Sequence, residues 1–182
     1  MKKLYQTKRL VLAALLLALG VILPTATHSI PNAGSVLLPM HIPVLLSGLT
    51  CGWGYGLACG LLAPALSNLI TGMPPAAVLP AMVCELAAYG LISGFSAKFI
   101  HTGKRTADLY VQLIVSMLIG RAVYGAMNAL IFRAGAYSME IFLTAAFVTA
   151  LPGILIQLLL LPSLVLALEK ARMLESPYAI TA

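Results

Sequence analysis

Charged residues are scarce in this chain. They make up 9% of its 182 residues and include only 5 Asp and Glu, whereas a soluble domain carries about 25%. Hydrophobic residues reach 61% and the mean hydropathy is +1.01. This composition excludes a soluble globular protein and leaves no length for a soluble catalytic domain. We therefore predict an all-α integral membrane protein.

Cysteines are also few. Cys51, Cys59 and Cys84 all lie in apolar stretches, and no Cys/His ligand spacing accompanies them. An odd, buried set excludes a disulfide framework and a zinc site, so we expect small buried side chains. Nucleophile-elbow, HExxH, Walker A and Rossmann signatures are missing as well. We expect no metal, no cofactor and no ATP hydrolysis by this chain alone.

Six apolar runs, separated by Pro, Gly and polar residues, predict six membrane spans in a single transmembrane domain over residues 1–182. The second run contains Pro39 and Pro43, and the sixth contains Pro152 and Pro162, so breaks or kinks are expected there. The first run is interpreted as a helix and not as a cleaved signal peptide. The predicted spans are Lys8–Leu23, Leu37–Cys51, Tyr55–Ile70, Ala76–Ile100, Ala107–Phe132 and Ile141–Leu168.

Nine basic residues flank these spans on one side. The opposite loops carry a single basic residue, Arg133, so the positive-inside rule predicts that both termini are cytoplasmic. The net charge of +6 therefore indicates orientation in a bilayer and no nucleic-acid partner. The nine residues on the predicted inner side are Lys2, Lys3, Lys8, Arg9, Lys98, Lys104, Arg105, Lys170 and Arg172.

Two ionisable residues, Glu85 and Arg121, lie deep inside spans that are otherwise apolar. A charge at the bilayer centre costs roughly 2.5–3.5 kcal/mol on insertion scales, so such residues face a bundle interior, a partner or a ligand. The sequence leaves two readings open. The two charges form a structural salt bridge, or at least one of them contacts a ligand.

Polar and aromatic residues share the helix faces of these charges. Tyr89 follows Glu85 by one turn, and span 6 adds Thr144 and Thr149. We predict a polar pocket that opens outward in the outer half of the membrane, with the histidine of the second span near its mouth. The candidate substrate-binding residues are Glu85, Tyr89, Arg121, Tyr124, Asn128, Gln157 and His41.

The central stretch LLPMHIPVLLSGLTCGWGYGLACGLLAPALSNLITGMPPAAVLPAMVCELAAYGLISG combines an IPV-type second helix, a Gly-rich turn and a long third-to-fourth helix segment. With Ala14 and Ala18 in the first helix, it resembles the substrate-binding S components of energy-coupling factor (ECF) transporters. The resemblance covers nearly the whole chain. It implies an S-component-like bundle of six helices in the cytoplasmic membrane of a prokaryote.

The resemblance also implies a mechanism. An S component binds a water-soluble vitamin or precursor in a pocket from helices 4 to 6, capped by outer loops. It then topples on a transmembrane T subunit, docking through a small-residue surface that corresponds to Ala14 and Ala18. Two ABC-type ATPases supply the energy, so this chain is expected to be a binding subunit and not an enzyme.

The resemblance does not identify the substrate. Arg121 suits a carboxylate, as in pantothenate, and Glu85 suits an amine or N–H edge, as in a pyridoxine-like compound, a pyrimidine or a queuosine precursor. Pantothenate and pyridoxine-like compounds are favoured. Two other classes stay open, namely a self-contained solute facilitator and a small membrane enzyme using Glu85, Arg121 and His41. The enzyme would need a metal-ligand set or a nucleophile pair, which the sequence does not display.

Overall fold

The computed structural model describes residues 2–27, 32–132, 137–171 and 173–174, and every regular element in them is helical. Two π-helical segments, Asn128–Phe132 and Thr144–Thr149, continue the sixth and seventh α-helices. The α-helices are α1 Lys2–Thr27, α2 Ala33–Val36, α3 His41–Cys51, α4 Trp53–Thr71, α5 Leu79–Phe99, α6 Arg105–Met127, α7 Met139–Leu143 and α8 Leu151–Lys170.

Six helical segments in the described part of the chain are long and apolar enough to cross a membrane, which confirms the predicted number. Two predicted spans are divided. The second was expected over Leu37–Cys51, but α3 begins only at His41, and the short α2 precedes it with a break around Pro39. The sixth was expected to begin at Ile141, but α8 begins only at Leu151. Pro152 lies in the first turn of α8, where its missing N–H removes no helical hydrogen bond.

We call one end of the bundle the outer end and the other the inner end, following the predicted orientation. The outer end contains α7 and also α2, which packs against α8 near Gly153. The inner end holds Gly52, between α3 and α4, and the loop between α5 and α6. Gly52 has a φ of 102°, a backbone conformation that favours glycine, and it makes the predicted tight inner turn.

Helix α5 is the central element, packed against α3, α4 and α6, while α1 covers α3 and α4. Glycines make this packing possible. A Cβ added at Gly56 or Gly90 would fall on the backbone carbonyl of the other, and one at Gly60 would fall on the carbonyl of Leu86. The regular glycine spacing seen in the sequence therefore serves close helix approach, which is how helices associate in lipid.

Large apolar side chains cover the outside of the bundle. Leu15 on α1, Leu118 on α6 and Leu159 on α8 are exposed, as are many of their neighbours. In α1, only 17% of the most apolar 18-residue segment is buried inside the bundle. Such extensive apolar exposure is stable only where lipid or another membrane subunit covers it.

Close packing of α4 on α5 gives the first prediction. Gly56→Ala should force the two backbones apart and lower stability by roughly 1–3 kcal/mol, because the added methyl group meets the backbone and not a mobile side chain. Gly54→Ala is the matched control on the same helix, since a Cβ there meets nothing within 4 Å. Unfolding in mixed detergent micelles measures both variants. Equal stability of Gly56→Ala and Gly54→Ala would contradict the packing argument.

Candidate functional site

The two deep charges meet between α5 and α6. The Nη1 atom of Arg121 donates a hydrogen bond to Oε1 of Glu85 at 2.8 Å. Glu85 is 2% exposed and Arg121 is 5% exposed. Each lies six residues from the outer end of its α-helix, about 9 Å along the axis. The ion pair allowed by the sequence therefore forms, in the outer half of the bundle.

His41 joins this pair from a third helix. It is the first residue of α3, it is buried, and its Nε2 atom approaches Oε1 of Glu85 to 3.5 Å. One carboxylate oxygen thus faces both the guanidinium and the imidazole. We call Glu85, Arg121 and His41 the charged cluster. The sequence predicted His41 near the mouth of a pocket, whereas in the structure it lies beside Glu85.

Tyr89 forms the apolar wall of the cluster. Its ring meets the ring of His41 edge to face, with centroids 5.1 Å apart. A Cβ on Gly120 would lie 2.9 Å from the Tyr89 ring, so α6 needs a glycine beside Arg121 for the ring to fit. Tyr89 and Gly120 therefore set how close α5 and α6 come at the depth of the ion pair.

The cluster holds more hydrogen-bond donors than it uses. Within the described residues, Nε and Nη2 of Arg121 are buried without a hydrogen-bond partner, and so are both ring nitrogens of His41. Gln157 on α8 is 1% exposed, and its Nε2 atom is also unpaired. Neither oxygen of Glu85 is both buried and unpaired. Buried polar groups normally find partners, so these nitrogens make the cluster a candidate binding site; a neutral imidazole supplies one donor and one acceptor.

The remaining candidate residues take other positions. Asn128 is buried at the start of the first π-helical segment, but its amide donates to the carbonyl of Tyr124 at 2.9 Å, a bond within its own helix. Tyr124 is partly buried one turn above Arg121. Thr144 and Thr149 bound the second π-helical segment, with Thr144 exposed. π-Helical turns are rare and often mark functional sites.

Two cavities lie away from the cluster. One of about 1020 Å³ opens at the inner end among α1, α5 and α8, with a basic rim that includes Lys8 and Lys98. Another of about 410 Å³ lies at the outer end between α6 and α7 and is lined mainly by apolar side chains. Neither is lined by the charged cluster. We take the cluster as the candidate site because the deep ion pair of Glu85 and Arg121 and the unpaired nitrogens of Arg121 and His41 occur together there.

Several other polar residues of the interior bond across helices, although Oγ of Ser67 and Oε1 of Gln112 are also buried without a hydrogen-bond partner in the described part of the chain. Ser96 and Ser116 lie 3.5 Å apart across α5 and α6, and Nε2 of Gln112 donates to the carbonyl of Ile100 at 3.0 Å. The sequence analysis did not single out these residues. Serine and glutamine side chains hold membrane helices together in this way. Among the described residues, no group of three His, Cys, Asp or Glu side chains is placed to bind a metal ion.

The surface of α1 is divided between two faces. Ala13 and Leu16 are buried against the bundle, and Gly20 approaches Ala63 of α4. Ala14 and Ala18 lie on the opposite, exposed face. They take no part in the charged cluster, which lies on α3, α5 and α6.

A family model described as "ECF transporter, substrate-specific component" matches residues 8–165 of the chain. This chain belongs to that family. The matched region includes every residue of the charged cluster and also Ala14, Ala18 and Gln157. Comparisons with curated proteins and with solved structures gave no significant match.

The S component is therefore a multi-pass membrane subunit of a transporter and not an enzyme, and its family takes a small-molecule substrate. Its architecture agrees with the predicted all-helical bundle of six spans. The family match does not identify the substrate or the residues that bind it.

The buried ion pair of the S component gives the second prediction. Glu85→Gln and Arg121→Gln should each lower stability by on the order of 3 kcal/mol, because each leaves an uncompensated buried charge. The double variant should lose less than the sum, with a coupling of roughly 1–3 kcal/mol. The free energies of unfolding of the wild type, both single variants and the double variant, measured in mixed micelles without added ligand, give this coupling as a double-mutant cycle.

Arg105 and Glu169 provide the control cycle at the inner end. Their atoms Nη2 and Oε1 lie 2.7 Å apart, but the side chains are 15% and 10% exposed, more than those of the deep pair, so a smaller coupling than that of the deep pair is expected. Additive effects of Glu85→Gln and Arg121→Gln would show that the deep pair is not coupled.

Proposed function

We propose that this S component binds a water-soluble vitamin or vitamin precursor at the charged cluster and delivers it across the membrane with ATP-driven partners. The observation that carries this proposal is the set of buried, unpaired donors on Arg121, His41 and Gln157. A purely structural ion pair would be expected to satisfy its surrounding polar groups. A ligand that supplies acceptors would complete them.

The orientation of the basic residues supports an outward-facing site. Lys8, Arg9, Lys98 and Arg105 all line the cavity at the inner end, which the positive-inside rule assigns to the cytoplasm of a prokaryotic cell. The charged cluster then lies in the half of the bundle nearer the exterior. A substrate would arrive at α2 and α7, pass the π-helical segments and reach Arg121.

The substrate candidates follow from the two charges. Arg121 favours a carboxylate, as in pantothenate, whereas Glu85 would favour an N–H edge or amine, as in a pyridoxine-like compound. Tyr89 adds an aromatic wall that suits either the dimethyl portion of the first or the ring of the second.

Energy must come from other chains in this proposal. The family implies association with a T subunit and ATPase subunits, and the exposed face around Ala14 and Ala18 is the candidate docking surface. Small side chains there let a partner helix approach closely in lipid. A self-contained facilitator is the competing function, and the purification below distinguishes the two.

The third prediction concerns partners and cargo. The chain, tagged and purified in mild detergent from its own cells, should co-isolate with a T subunit and two ATPases. The separated S component should retain a small molecule, released by denaturation and identified by mass spectrometry. Gln157→Leu should weaken retention, because it removes an unpaired buried amide but leaves the ion pair intact.

Leu155→Met is the matched control on the same helix, because Leu155 is exposed on the outside of the bundle. It should retain cargo like the wild type. Isolation without ATPases, combined with uptake by the chain alone in liposomes, would replace the importer with a facilitator.

The fourth prediction tests the docking face. Ala14→Trp combined with Ala18→Trp should preserve ligand binding by the isolated S component but abolish ATP-dependent uptake and co-isolation of the T subunit. The reason is steric, since two indoles one turn apart would hold a partner helix away.

Leu155→Trp combined with Leu159→Trp is the matched control, because these residues are also exposed and one turn apart, on α8. It should leave uptake intact. Normal uptake by the α1 double variant would refute the docking role. Loss of binding in a folded α1 double variant would instead place α1 in the substrate site.

A further inference from the structure

We infer that the substrate carries a carboxylate and that Arg121 binds it through the side-on edge of its guanidinium, with the side chain of His41, at the start of α3, as a further donor. This rests on the proposed function and narrows it. It distinguishes the two substrate candidates by which hydrogen-bonding groups of the cluster are still without a partner, and not by the charges of the cluster.

Arg121 has one edge occupied and one edge free. Its Nη1 atom donates to Glu85, while Nε and Nη2 are buried and have no partner among the described residues. Nε and Nη2 lie on the same side of the planar guanidinium and point in parallel. Two parallel N–H donors match the two oxygens of a carboxylate, the pairing in which arginine binds most strongly.

The Oε1 atom of Glu85 is already engaged by its neighbours. It accepts from Arg121 at 2.8 Å and faces Nε2 of His41 at 3.5 Å. An amine that bound at Oε1 would have to compete with Arg121 and would leave the guanidinium less compensated. Glu85 is therefore a positioning residue that holds the guanidinium so that its free edge stays available.

The start of α3 adds to the same preference. α3 begins at His41, has no acidic residue in its first turn, and its N-cap residue Met40 offers no side-chain hydrogen bond. The N-terminus of a helix carries partial positive charge and attracts anions. Here it coincides with the unpaired imidazole of His41, which can donate from one nitrogen when neutral and from both when protonated.

The charge of the cluster favours a monoanion over a dianion. Glu85 and Arg121 compensate each other, so a bound carboxylate adds one negative charge, which faces the free guanidinium edge, His41 and the α3 N-terminus. A phosphate monoester would satisfy the same edge but would bring up to two negative charges close to Glu85. Like charges at short distance in a buried site are strongly unfavourable.

The test uses pairs of compounds that differ at the carboxylate. The purified wild-type S component, freed of cargo, is titrated with pantothenate and panthenol, with nicotinate and nicotinamide, and with 4-pyridoxate and pyridoxine. Pyridoxal phosphate is included as the phosphate probe. At least one carboxylate should bind, with a Kd roughly 10- to 100-fold lower than that of its neutral counterpart, as expected when a charged hydrogen-bonded contact is lost.

Arg121→Lys supplies the matched variant. It keeps the positive charge near Glu85 but removes the planar two-donor edge, so it should reduce the carboxylate preference at least about tenfold. Arg105→Lys is its control, since Arg105 also pairs with a glutamate but lies about 24 Å further along α6. It should leave the preference unchanged. The wild-type comparison stands even where Arg121→Lys does not fold.

The outcomes distinguish the binding function from the assignment of a carboxylate to the substrate. Tighter binding of a neutral or cationic member of a pair, of pyridoxal phosphate, or of a retained molecule without a carboxylate overturns the carboxylate assignment but leaves the binding function standing. Failure to bind any compound, with no molecule retained on purification, overturns the binding function and the assignment together. An unchanged carboxylate preference in folded Arg121→Lys overturns the role of the side-on edge.

Discussion

The ion pair between Glu85 and Arg121 is the constraint on which the rest of the bundle depends. Two charges in a span are tolerated only if each has a partner away from lipid. Their 2.8 Å contact requires α5 and α6 to face each other at one depth and rotation. Gly120 makes room for the Tyr89 ring at that depth, and the glycines of α4 let α5 lie close behind. Helix packing and ion pairing therefore impose the same arrangement.

The pair also accounts for the division of the molecule into two regions. The inner part of the interior is filled by apolar side chains such as Leu109, Leu113 and Val165, together with serines that bond across helices. The outer part contains the charged cluster and is bounded by the short helices α2 and α7 and by two π-helical segments. Long regular helices form the inner part, whereas short and π-helical segments lie at the outer end, where we propose that the substrate enters.

A buried ion pair by itself is weak evidence of function, since many such pairs are structural. Our proposal therefore depends on the unpaired nitrogens and not on the pair alone. Arg121 donates to Glu85 through Nη1, while its Nε and Nη2 atoms and the ring nitrogens of His41 are buried without a hydrogen-bond partner among the described residues. The inferred carboxylate relates the family's transport role to a particular chemical group on the substrate, which family membership alone does not provide.

The sequence alone determined the membrane class, the number of spans and the placement of Glu85 and Arg121 inside two of them, because hydropathy and charge act locally along each helix. It did not determine where the second and sixth spans are interrupted. Pro39 and Pro152 restrict the backbone, but they do not specify which helices form on either side of them. Only the tertiary structure decided that His41 meets Glu85 and that the amide of Asn128 bonds within its own helix. Those outcomes depend on the rotation and approach of helices far apart in sequence, which glycine contacts and interhelical bonds set together.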